Sequence, residues 1–122
     1  MRRAESNLVQ ARQRQPGICL EDLCFHAQQA AEKSLKALLL AQRRGPAYTH
    51  NLATLLRLIK EARLPVPQDV MRVVRLSDYA VETRYPGMFD PVTEQDYREA
   101  MELASRCVAW VRDRLSGTKS DT

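Results

Sequence analysis

Between residues 19 and 43, apolar or small side chains recur at Leu20, Leu23, Ala27, Ala30 or Ala31, Ser34 and Leu38, in steps of three and four that put them on one side of an α-helix. The segment has no Pro or Gly and is rich in Ala, Leu, Lys, Glu and Gln, so propensity and pattern agree. Small residues along it, Ala27, Ala30, Ala31, Ser34 and Ala37, leave room for a neighbouring helix to approach closely. A weaker stripe of the same period, Ala4, Leu8 and Ala11, predicts a short Arg-rich helix over 2–15, ending before Pro16 and Gly17. Gly45 and Pro46 are the expected stop of the long helix. Beyond them Leu52, Leu55, Leu56 and Ile59 form the stripe of a third helix reaching Ala62, for which Thr49 is the expected N-cap. Pro65 and Pro67 separate it from a fourth, with Val70, Val73 or Val74, Ser77 and Val81 facing inward until Pro86 and Gly87. Its valines are poor helix formers. Thr93 and Asp96 have capping-box spacing, and Val92 and Tyr97 stand where a hydrophobic staple closes around such a cap. From there Tyr97, Met101, Ala104, Val108, Val111 and Leu115 carry a fifth helix to a polar tail.

Five helical segments with short connections and no alternating strand predict an all-α fold: an antiparallel four- to five-helix bundle over residues 1–115, with 116–122 a flexible tail. The absence of a fixed-period repeat argues against a solenoid. A length of 122 residues suits one domain. A chain of this size buries roughly 65% of its extended surface, enough for a core without disulfides or a structural metal. The 44% apolar and 28% charged fractions are those of a globular protein and exclude a disordered or collagen-like chain.

The longest apolar run near the centre, residues 37–41, is far too short to span a bilayer. No apolar stretch follows the N-terminal charges. Cys19, Cys24 and Cys107 form no C-x-x-C pair, and with two histidines they offer no zinc spacing. The expectation is a cytoplasmic chain with reduced thiols, no membrane segment, no metal and no cofactor.

Net charge is +4, but it is unevenly placed. The first fourteen residues hold Arg2, Arg3, Arg12 and Arg14 against Glu5 alone, which leaves the rest of the chain at +1. No aromatic or base-reading residues are interleaved with these arginines, so charge gives only weak support for nucleic-acid binding.

Candidate chemistry sits in three places. On the long helix His26, Gln29 and Lys33 share a face, with Glu32 beside them and Lys36 one turn on. That face reads either as a phosphate- or nucleotide-facing surface or as a half-buried histidine among ordinary solvated charges. His50 follows Thr49 at a helix start and reads as a loop-closing group or a site residue. Asp78, Tyr79, Glu82, Thr83, Arg84, Tyr85 and Pro86 form the densest polar and aromatic cluster. The Arg84 fork suits a carboxylate that closes a helix end or the phosphate of a ligand. The two tyrosines suit packing on a partner helix or a flat face for a base. No nucleophile motif supports a Ser/His/Asp triad, and neither GxxxxGK[ST] nor GxGxxG occurs, which excludes the common NTP and dinucleotide folds.

Four strings taken together, CFHAQQAAEKSLKALLL at 24–40, THNLATLL at 49–56, LSDYAVETRYPG at 76–87 and the helix from TEQDYREAMELA onward, resemble the HEPN domain family, in the family's order and over nearly the whole chain. The resemblance implies a helical bundle that forms homodimers, often encoded beside a minimal nucleotidyltransferase in pairs that can act as toxin and antitoxin. One branch of the family is a metal-independent ribonuclease marked by an Arg, four to six residues, and a His late in the bundle. Here no histidine follows Arg84. The spacing from Arg44 to His50 fits formally but falls between the second and third helices. The resemblance therefore implies a non-catalytic member for which nucleotide binding is proposed, with His26, Gln29, Lys33, His50, Arg84 and Tyr85 as the carried-over ligand positions. A stand-alone nucleotide-binding module and a ribonuclease using His26 or His50 with Arg84 are the alternatives.

Overall fold

In the computed structural model, which describes residues 1–43, 48–80 and 91–120 with side chains as far as Gly117, the chain is built from helices alone, with no strand among the described residues. They are α1 (Arg2–Ala11), α2 (Leu20–Ala41), α3 (Leu52–Glu61), α4 (Gln68–Met71), a 3-10 helix (Arg72–Tyr79) that continues directly from α4, and α5 (Glu94–Ser120). The expected all-α bundle is the fold observed. None of the described helices is long and apolar enough to cross a membrane.

α2 is the hub. Leu23, Cys24, Ala27, Ala30, Ala31, Leu35, Leu38 and Leu39 are all buried, an arc wider than one stripe, because α1 and α5 pack on it along much of its length and α3 and the 3-10 helix close a further side. The alanines at 27, 30 and 31 allow these close approaches. Cross-helix contacts fix the directions. The start of α1 lies beside Lys33–Leu40 side chains of α2 and Asn7 reaches His26, so α1 runs antiparallel to α2. Glu21 accepts from the Val92 N–H just ahead of α5, and Ser34 meets Cys107, so α2 and α5 run in the same sense. The Tyr97 hydroxyl donates to the Ala11 carbonyl at 2.7 Å, tying the end of α1 to the start of α5.

Helix ends depart from expectation in ways local chemistry explains. α1 stops at Ala11, four residues early. α2 ends at Ala41 because Arg43 takes up a left-handed conformation, φ 59°. The stop expected at Gly45 and Pro46 lies outside the described residues. The cap of α3 is Asn51, not Thr49: its side chain accepts from the Thr54 N–H at 3.0 Å, while Thr49 Oγ1 accepts from the Asn51 N–H one step earlier. The fourth segment is mostly 3-10. Val70, Val73 and Leu76 are buried at a strict spacing of three, which aligns on one face of a three-residue turn, and Ser77, expected inside, is exposed. Val81, Pro86 and Gly87 lie outside the described residues. The start of α5 matches its signals. Thr93 N–H donates to Asp96 and Asp96 N–H to Thr93 Oγ1 at 3.0 and 3.1 Å, with Val92 and Tyr97 buried around them. The helical backbone of α5 continues to Ser120, into the segment read as tail.

Candidate functional site

Two polar clusters run along α2, and together they take up four of the six residues singled out from the sequence. In the first, Lys33 Nζ donates to Asn7 Oδ1 at 2.6 Å, and Asn7 Nδ2 lies 3.2 Å from His26 Nδ1. A lysine ammonium can only donate, so the Asn7 oxygen faces Lys33 and its NH2 faces the histidine. His26 Nδ1 is therefore the acceptor, and the proton of the neutral ring sits on Nε2. Asn7 is 6% exposed although it belongs to a polar type, and this shared role explains its burial in the α1–α2 seam.

The second cluster centres on Glu32, 3% exposed. Gln29 donates to Gln28 Oε1 at 2.8 Å, and Gln28 donates to Glu32 Oε1 at 3.1 Å. The other oxygen, Oε2, takes Lys36 Nζ at 3.1 Å and His50 Nδ1 at 2.8 Å. Because that oxygen accepts from His50, the proton is on Nδ1 and the ring's Nε2 faces away from the bond. Burial pushes the Glu32 carboxyl toward a higher pKa, but donors from His50, Gln28 and Lys36 overturn that and hold it below the ordinary carboxylate value. Glu32 is thus a charged anchor that fixes the loop entering α3 onto α2. Three donors on one carboxylate meet the requirement that a buried charge be both paired and hydrogen-bonded.

His26, Gln29 and Lys33 do share a face of α2, as their spacing implies, but they divide between the clusters. His26 and Lys33 meet through Asn7, and Gln29 and His50 meet through Gln28 and Glu32. Arg84 and Tyr85 lie outside the described residues. Asn7 and Gln28 carried no signal beyond an Asn on the buried stripe of α1 and the four-residue step from Gln28 to Glu32 to Lys36.

Lys33 and Lys36 also face a groove of about 470 Å3 between α2 and the start of α1, lined by Arg2, Arg3, Ala4, Ala37 and Leu40 among others. Partial burial, the neighbouring Arg3 guanidinium and Lys36 push the Lys33 amine below the usual lysine value, with Glu32 pulling the other way. Among the described residues no group of His, Cys, Asp or Glu side chains is arranged to hold a metal ion.

Comparison with known proteins gives a consistent picture. The profile of the HEPN domain matches residues 1–114. Among solved structures, an archaeal HEPN homologue, ST0689, superposes with a TM-score of 0.70 at 29% identity, covering 93% of this chain and 92% of its own. TT1696 from Thermus thermophilus superposes with a TM-score of 0.68 at 36% identity, covering 92% of each chain. No functionally curated protein matches significantly. The match over residues 1–114 and the 36% identity at nearly full coverage come on top of the helical bundle built around α2, and the chain belongs to the HEPN domain family.

Proposed function

We infer that this chain is a non-catalytic HEPN domain protein, a homodimer that partners a separately encoded minimal nucleotidyltransferase in a toxin–antitoxin-type pair and that binds a nucleotide. What supports the non-catalytic part is the employment of the two histidines. His26 accepts from Asn7, and His50 donates to a buried carboxylate that holds a loop on α2. A general acid–base histidine needs its reactive nitrogen next to a group that stabilises phosphate charge. The lysines of the same clusters are bonded as well, Lys33 to Asn7 and Lys36 to Glu32. In the sequence no histidine follows Arg84.

Co-expression with the nucleotidyltransferase encoded nearest the gene, followed by affinity purification, tests the partnership. A stable complex is expected, and a partner that never co-purifies counts against it. RNA cleavage that disappears in His26→Ala and His50→Ala variants would replace this reading with a ribonuclease. Calorimetric titration with a nucleotide panel tests ligand binding.

A further inference from the structure

Among the described residues two buried side-chain polar atoms have no hydrogen-bond partner, Gln42 Oε1 and Trp110 Nε1, and both belong to the end of the bundle where α2 and α5 finish. Native interiors leave few such groups, and each asks for an explanation. Gln42, the residue that closes α2, lines a pocket of about 350 Å3 with Leu38 of α2, Leu64 from the turn after α3, and Asp113, Arg114 and Gly117 of α5. Trp110, Asp113, Arg114 and Gly117 stand three and four positions apart, on one face of α5. The Arg114 guanidinium lies over the Trp110 ring, 5.8 Å from its centroid. Three kinds of chemistry therefore meet in one small space. Leu38 is buried and Leu64 half-buried, and together they make an apolar wall. Asp113 and Arg114 bring opposite charges at adjacent positions, and Gln42 Oε1 is an acceptor already stripped of water. Gly117 keeps a further side open, since a Cβ there meets nothing within 4 Å. A glycine inside a helix weakens it relative to alanine, so helix formation does not account for this one. The volume is at the small end of the range for ligand sites.

We propose that this pocket at the α2–α5 end binds a free α-amino acid with an aliphatic side chain. The ammonium donates to Gln42 Oε1 and pairs with Asp113, the carboxylate lies on the Arg114 fork oriented by Trp110, and the side chain packs on Leu38 and Leu64. A zwitterion of this kind meets an acceptor, an anion and a cation at once. A dicarboxylate or a polyamine leaves one of the two protein charges facing its own sign. A water molecule meets the Gln42 oxygen but uses neither the charge pair nor the apolar wall. None of His26, Gln29, Lys33 and His50 lines this pocket, so the amino-acid site does not depend on the nucleotide reading.

The test is calorimetric titration of the full chain with leucine, with glycine, which lacks the apolar side chain, with leucinamide, which lacks the carboxylate, and with N-acetyl-leucine, which lacks the ammonium. Leucine should bind, and each of the other three should bind roughly tenfold more weakly or worse. The protein variants are Gln42→Leu, Gly117→Leu, Arg114→Gln and an Arg57→Gln control from α3. Gln42→Leu removes the orphaned oxygen at similar volume, and Gly117→Leu fills the pocket from an open position. Both should melt at or above the wild-type temperature while losing roughly tenfold or more in leucine affinity, a combination that a merely structural role does not produce. Arg114 is exposed, and Arg114→Gln should weaken leucine but leave leucinamide unchanged, because only leucine presents the carboxylate. The control should match wild type. No leucine binding to folded wild type up to about 10 mM overturns the proposal. Leucine binding that survives in both Gly117→Leu and Arg114→Gln overturns the pocket. Leucinamide or N-acetyl-leucine binding as tightly as leucine overturns the zwitterion.

Discussion

Replacing Glu32 with Gln tests the electrostatic logic of the bundle's interior, because it keeps the side chain's shape and removes only its charge and one acceptor. In the wild type, Oε1 takes Gln28 and Oε2 takes Lys36 and His50, all at 3.1 Å or less. A Gln side chain offers one oxygen and one NH2, so it meets either Gln28 or the Lys36–His50 pair with a donor facing a donor. Hydrogen bonds to a charged group contribute about 1.5–3 kcal/mol each when buried. The Lys36 and His50 side chains are 25% and 77% exposed, and water compensates much of their loss. A net destabilisation of about 2 kcal/mol at neutral pH follows. For a domain of this size that lowers the melting temperature by about 6–10 °C. Glu32→Ala, which also opens a gap and strands the Gln28 amide, should cost about 1 kcal/mol more. The pH dependence gives the sharper check. The folded-state pKa of Glu32 lies below the ordinary carboxylate value, so its contribution is fully present above that ordinary value and is lost as pH falls through the folded-state one. Urea midpoints of wild type and Glu32→Gln should therefore stand furthest apart near neutrality and converge in acid. A gap that is constant from neutral to acid pH, or absent at pH 7, refutes the assignment of Glu32 as a charged anchor.

Other substitutions separate local causes. Asn51→Ala should destabilise by about 1 kcal/mol and Thr49→Ala by clearly less, measured by chemical denaturation, because Asn51 is the side chain that caps α3. Arg63 holds a left-handed conformation, φ 64°, just past α3, so Arg63→Gly should stabilise by about 0.5–1 kcal/mol, with a rise in melting temperature as the readout. Thiol titration with a disulfide reagent should find Cys19 reactive in the native protein and Cys107 silent until denaturation, since Cys107 is buried and burial pushes its thiol up to about 11. Tyr97→Phe removes the buried bond to the Ala11 carbonyl and should cost about 1 kcal/mol in urea unfolding.

The fold was readable wherever one signal did not compete with another. α2 combined period, propensity and freedom from breakers, and α5 combined a capping box with a staple; both appear where those signals lie. Helix ends were less readable, because a cap is decided by which of two adjacent polar residues turns back on the chain. Thr49 and Asn51 are both good caps, and only the backbone at position 51, extended at φ −84° and ψ 115°, selects Asn51. Arg43 and Arg63 end their helices in a conformation usually given to glycine, so no glycine marked either position. The 3-10 segment was hidden by its valines. Val73 and Val74 fit a stripe of either period, and the choice between Val73–Leu76 and Val74–Ser77 is made by what the 3-10 helix packs against on α2 and α5.

The site was legible by residue type and not by grouping, for a geometric reason. Spacing places His26, Gln29 and Lys33 on one face, but a face of α2 is shared by two neighbours. The α1 side claims His26 and Lys33 through Asn7, and the loop before α3 claims Gln29 and His50 through Glu32. Asn7 lies 26 positions before Lys33 on a stripe that reads as ordinary core, so nothing local announces it as the link. The same folding-back changes what the charge means. In the sequence Arg2 and Arg3 belong to a terminal basic cluster separate from a nearly neutral body, which suggests a solvated end. Antiparallel packing of α1 on α2 brings them beside Lys33 and Lys36, 30–34 positions away in the chain, while Glu5 is committed to Arg112. Basic side chains gathered at the positive end of a helix dipole lower stability. Neutralising Arg2 and Arg3 should therefore leave the protein as stable as wild type or slightly more so in a thermal melt, and a clear loss of stability would refute this account of the cluster.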